Sequence, residues 1–171
     1  MIYLIFATML VLLLSIQTTF LRVFFSENVA PDLILIVAVY FGIHLKKNNG
    51  ILVAALVGFF QDCLSGGVLG VNFLSKGLAG LFFCVIRDKI IVQGIIPIGF
   101  FMFVTSLVDG LIYFLSMTSL LRGHVEGDFI FSSLIIFGIF NAVVAPFLFY
   151  VFDKGKEWLN RKFPSQLLEF I

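Results

Sequence analysis

Six long apolar stretches occupy almost the whole chain, at 2–21, 31–45, 50–64, 68–86, 90–121 and 129–152. A hydrocarbon core about 30 Å thick needs about 20 mostly apolar residues per helix. A hydrophobic content of 61% and a mean hydropathy of +1.14 leave no room for a separate soluble domain. Strands cross a bilayer only as closed barrels, and these stretches lack the alternating pattern that a barrel requires. The expected fold class is therefore all-α, a polytopic membrane protein. It is read as a six-helix transmembrane bundle over 1–152, followed by a short basic amphipathic cytoplasmic tail over 153–171.

Lysine and arginine in the short connections set the orientation. With both termini on one side, that side carries Lys46, Lys47, Arg87, Lys89, Lys154, Lys156, Arg161 and Lys162. The other side carries Arg22 and Arg122, and Lys76 falls inside a stretch. The asymmetry places both termini in the cytoplasm, as expected of a multi-pass protein of the bacterial inner membrane. The net charge of +1 conceals this split, and no basic surface remains for nucleic acid. The tail combines Trp158, Leu159, Phe163, Leu167, Leu168 and Phe170 with basic residues, which suits the anionic lipid of the cytoplasmic leaflet.

Ile2 to Leu14 is apolar enough for a signal-peptide core, but no basic residue precedes it and no A-x-A site follows. An uncleaved first helix is expected. Cys63 and Cys84 lack CxxC spacing and read as small packing residues. The stretches differ in length. At 1.5 Å per residue, 50–64 spans about 22 Å and 90–121 about 48 Å. Gln61-Asp62-Cys63-Leu64-Ser65-Gly66-Gly67 looks like a break that ends the third stretch short of a full crossing. Gly94, Pro97 and Gly99 suggest that 90–96 lies along the interface before the fifth helix proper. The abundant phenylalanine, 23 residues, reads as lipid-facing surface.

Polar residues inside apolar helices are costly unless paired, so they mark the candidate site. They are Asp62, Ser65, Asn72, Lys76 and Asp109, with Asn141 a further polar residue. Asn72 and Lys76 share a helix face, being four apart. Lys76 lies about 12 Å from the outer end of its stretch and Asp109 about 18 Å from its own. A Lys76–Asp109 pair would neutralise both, with Asp62 as the rival partner. Gly70, Gly77 and Gly80 equally fit close helix packing, in which case the polar residues simply fix the bundle. Asp32 after Pro31 reads as an ordinary helix start.

No catalytic residue, metal ligand or cofactor site is expected. Leu64-Ser65-Gly66-Gly67 has no accompanying phosphate loop. A serine protease built on Ser65 would need a deep histidine base, whereas His44 and His124 sit at helix ends on opposite faces. No carboxylate–histidine group has metal spacing.

The order of motifs resembles the rod shape-determining protein MreD family of bacteria. Pro31-Asp32-Leu33 opens the second stretch, Gly58 and Gln61-Asp62 lead into Ser65-Gly66, and Leu69-Gly70-Val71-Asn72 follows. The stretch 58–72 is the specific part, while size and topology carry the rest. The resemblance implies a non-enzymatic membrane component of the cell-elongation machinery for lateral peptidoglycan synthesis. It implies an MreC-like bitopic partner, with RodA, a class B penicillin-binding protein and, indirectly, MreB. It also implies similarity to the six-helix substrate-binding subunits of energy-coupling-factor transporters, which makes a vitamin-binding subunit the alternative function. Some of those subunits carry A-x-x-x-A in the first helix, whereas here Ala7 is followed by Val11.

Overall fold

The computed structural model describes residues 2–21, 30–45, 47–65, 68–89, 92, 94–121 and 127–162. The connections 22–29 and 122–126, the residues Lys46, Gly66, Gly67 and His124, and the tail beyond 162 lie outside the described residues. The described residues form six helices, with no strand among them: α1 (Ile2–Ser15), α2 (Leu33–His44), α3 (Lys47–Ser65), α4 (Val71–Ile86), α5 (Ile95–Leu121) and α6 (Gly127–Lys162). A π-helical segment, Ile16–Leu21, continues α1. Two helical stretches, Ile95–Ser116 and Ser132–Leu159, are long and apolar enough to cross a membrane.

The shortest helix is the centre of the molecule. Every residue from Pro31 to Tyr40 is buried, as befits a helix that is apolar all round. α3 and α4 form the most extensive helix pair and both pack on α2, while α5 pairs with α6 and α1 leans on α2. Leu14 of α1, Phe83 of α4, Met102 of α5 and Phe149 of α6 join the α2 side chains in one apolar core. Phenylalanines divide between this core (Phe83, Phe149, Phe152) and the exposed surface (Phe59, Phe60, Phe73, Phe82, Phe100, Phe147). Of the cysteines, Cys84 is buried and donates to the carbonyl of Gly42 at 3.1 Å, whereas Cys63 is exposed.

Three boundaries differ from the sequence expectation. The third stretch does not break early: α3 is a continuous helix of 19 residues, reaching about 28 Å. Its polar start Lys47-Asn48-Asn49 belongs to the helix, so counting apolar residues alone shortens it. α6 does not stop at 152 but runs to Lys162 through Pro146. Proline cannot donate to the carbonyl four residues back, here that of Ala142. A Cβ on Gly99 of α5 would lie 3.3 Å from that same oxygen, so the helices approach closely where the ladder is interrupted. The third change is in the first stretch, which is α-helical only to Ser15. The π turn beyond it turns Gln17 toward the start of α2, and Thr18 bonds back to the Leu14 carbonyl at 2.8 Å.

Small residues permit the tight contact of α3 with α4. A Cβ on Gly58 would collide with the Asn72 backbone, and one on Gly80 with the Cβ of Ala54. At Gly77 it would make an ordinary contact, 3.5 Å from the Ala55 side chain. Gly58→Ala should therefore lower the thermal midpoint of the detergent-purified protein, an overpacking cost of about 1–3 kcal/mol. Gly77→Ala should be neutral or mildly stabilising, and a thermal-shift comparison of the two checks the packing.

Candidate functional site

A helix that begins inside a bundle buries amide groups that water cannot reach, and each must find a partner within the protein. α2 and α4 both begin this way, and each meets a carboxylate. Asp32 caps its own helix: its Oδ1 accepts from the amides of Ile34 and Leu35, both at 3.0 Å. Gln17 supports this cap from the π turn. Its Nε2 donates to Asp32 Oδ1 at 2.9 Å, and its Oε1 accepts from the Ile34 amide at 3.0 Å. The Asp32 amide donates in turn to Asn141 Oδ1 on α6 at 2.8 Å.

α4 is capped from a different helix. Gly70, at φ 100°, turns the chain into α4 and offers no side chain of its own. Asp62 on α3 fills the role instead. Its Oδ2 accepts from the amides of Gly70 (2.9 Å) and Phe73 (3.0 Å). Its Oδ1 accepts from the amide (3.0 Å) and the side-chain nitrogen (2.9 Å) of Asn72. Gly58, one turn earlier on α3, is what lets the α4 backbone come this close. The motif Gly58-x-x-x-Asp62 through Gly70-x-Asn72 is thus a docking device between two helices. Ser65 makes a long bond of 3.5 Å to the Asp62 carbonyl.

Lys76, with 1% of its surface exposed, joins these caps into one network. Its Nζ lies 2.8 Å from Asp32 Oδ2 and 3.0 Å from Asp109 Oδ1, and it donates to Asn72 Oδ1 at 2.7 Å. Asp109 on α5 also accepts from Ser75 Oγ. Gln61 Nε2 reaches Asp32 Oδ2 at 3.3 Å. Residues from α2, α3, α4, α5, α6 and the π turn therefore converge on one buried cluster. Among the described residues, Gln61 Oε1, Asn141 Nδ2 and Ser106 Oγ are buried without a hydrogen-bond partner.

The expected Lys76–Asp109 contact is present, but it is shared with Asp32, whose place after Pro31 reads in the sequence as an ordinary helix start. Asp62, the expected rival, does not pair with Lys76. Its four hydrogen bonds commit it to the start of α4, and it acts on Lys76 only through Asn72. Ser65 stays at the edge of the cluster. Gln17, Ser75 and Ser106 have no place in the sequence expectation, and Gln61 enters it only within the Gln61-Asp62 motif. Their signal was faint: each is a neutral polar residue in an apolar run, with spacing that fits packing equally well. No group of three or more His, Cys, Asp or Glu is arranged as a metal site among the described residues.

One ammonium faces two carboxylates, so the three single charge removals should differ. Lys76→Met strands both acids, Asp32→Asn also weakens the α2 cap, and Asp109→Asn leaves a balanced Lys76–Asp32 pair. Leaving a buried charge alone costs about 3–5 kcal/mol in soluble proteins. Protein level and detergent melting should fall in the order Lys76→Met, Asp32→Asn, Asp109→Asn, the last nearest to wild type. A Lys76→Met/Asp32→Asn/Asp109→Asn triple variant should exceed Lys76→Met. Equal losses for all three single variants would contradict the shared pairing.

The family model described as rod shape-determining protein MreD matches residues 1–154. No curated protein matches the chain. No solved structure matches it either.

Proposed function

The chain belongs to the rod shape-determining protein MreD family, and from that premise we propose that it is a non-enzymatic, multi-pass scaffold of the bacterial elongation machinery. The family match over residues 1–154 carries this reading. The family is one of membrane proteins that determine cell shape, and two apolar helices here are long enough to span a bilayer. In the proposed arrangement all six helices cross the inner membrane and both termini are cytoplasmic. The scaffold holds an MreC-like bitopic protein and, through that assembly, works with RodA, a class B penicillin-binding protein and MreB in lateral peptidoglycan synthesis.

The polar cluster supports a scaffold. Asp62, Asn72, Lys76 and Asp109 bond mainly to one another, to Asp32 and to helix ends, tying five helices together. Ser65 contributes at the rim. In this proposal the cluster serves partner binding indirectly, by holding the outer helix faces in fixed register. The family match lends the vitamin-transporter alternative no support.

Depletion in a rod-shaped host should round the cells, and crosslinking should recover a single-span MreC-like protein. Retained rod shape with loss of vitamin uptake would reverse the assignment. Reporter fusions at Lys156 and within 46–49 should read cytoplasmic, and fusions within 122–128 external. A cytoplasmic reading for 122–128 would exclude six crossings.

A further inference from the structure

A second feature shares none of the charged cluster's residues. Between α1, α2, α3 and the end of α6 lies a groove of about 380 Å³, lined by apolar side chains such as Leu10, Val57 and Phe60. Its polar lining groups, Tyr40, His44 and Lys156, come from the C-terminal part of α2 and the last turns of α6. Asp153 is also at this end. It accepts from Tyr40 Oη at 2.9 Å and lies 3.8 Å from His44 Nε2, so its charge is engaged with α2. Lys154 pairs with Glu157 at 3.4 Å. Lys156 has no ion-pair partner among the described residues.

Gly155 points to an occupant. Glycine inside a helix is unfavourable relative to alanine, so it usually has a packing reason. Gly58 and Gly80 have one, because neighbouring atoms occupy their Cβ positions. At Gly155 nothing lies within 4 Å of an added Cβ. The missing side chain leaves the groove mouth open beside Lys156, and no part of the described chain uses the space.

The dimensions select the occupant. Along α3 the groove runs from Val53 to Leu64, a rise of about 16 Å. One leaflet of hydrocarbon is about 15 Å deep. A transmembrane helix must cross about 30 Å of hydrocarbon, roughly twice the length of this groove. The groove therefore suits an acyl chain rather than a partner's transmembrane helix. We infer that it is a binding site for one anionic phospholipid, with an acyl chain along α2 and α3 and the headgroup phosphate at Lys156.

Native mass spectrometry of the full chain in detergent, with added phosphatidylglycerol or phosphatidylcholine, tests this. Wild type should retain one phosphatidylglycerol at least about fivefold more than phosphatidylcholine. Lys156→Glu should abolish the preference while weak retention of both lipids persists. Gly155→Trp, which fills open space, should remove retention of both without lowering the melting temperature. Equal retention of the two lipids by wild type, or retention unchanged in Gly155→Trp, would overturn the inference. So would a dimer that Gly155→Trp dissociates, because a second copy would then cover the groove. If either variant fails to fold, wild type decides the matter with phosphatidylglycerol carrying a photoreactive acyl chain. Labelling should concentrate on 9–14 and 53–60, and labelling spread equally over exposed Phe100 and Val143 would refute the site.

Discussion

Everything in this bundle is arranged around the buried start of α2. The twelve residues of α2 make a helix of about 18 Å whose start, from Pro31 to Leu35, is wholly buried among the other helices. The first amides of α2 must therefore be satisfied inside the protein. Asp32 does this, and its negative charge suits the positive end of the helix. A carboxylate at 6% exposure then requires a cation, and Lys76 supplies it at 2.8 Å. A lysine needs further acceptors, which Asn72 and Asp109 provide. Each buried polar group thus creates the demand that the next one meets.

Magnitudes show which links matter most. Hydrogen bonds between membrane helices average about 0.6 kcal/mol in measured cases, because the unfolded chain in the membrane also finds partners. Stranding a buried charge costs several times that. The hydrogen bonds to Gln61 and Asn141 therefore adjust geometry, while the Lys76–Asp32–Asp109 balance decides whether the core is tolerable. Asp62 is intermediate: it is a charged cap with four donors, and it seats α4 on α3 while Gly58 removes the steric obstacle. This division of labour fits the proposed scaffold, in which the cluster would hold the outer helix faces in register.

Much was legible from one sequence because membrane folding is dominated by a few large terms. Hydrophobic length gave the helices, and the depth of Lys76 and Asp109 implied that they meet. Gly58 through Asn72 stood out as a unit through its resemblance to the family's pattern. What stayed hidden has a common cause. The sequence shows which residues are polar, but not which helix start is buried. Pro31-Asp32-Leu33 is the same tripeptide whether its helix begins in water or in the core. Asp62 could equally be an ion-pair partner or a cap, because the identity of its neighbours depends on how α4 lies across α3.

The sequence by itself determined the helical class, the approximate helix positions and the asymmetry of positive charge, since hydrocarbon thickness and backbone satisfaction act on each segment locally. The family motif was likewise local, a run of residues between 58 and 72. Tertiary structure alone decided the sharing of Lys76 between two acids, the use of Asp62 on another helix's amides, and the recruitment of Gln17 by a π turn. It also decided that Gly155 faces open space while Gly58 faces a backbone. These outcomes depend on relative helix placement across up to 113 residues of separation, as between Tyr40 and Asp153. Many weak packing contacts fix that placement jointly, and no single segment of the chain encodes it.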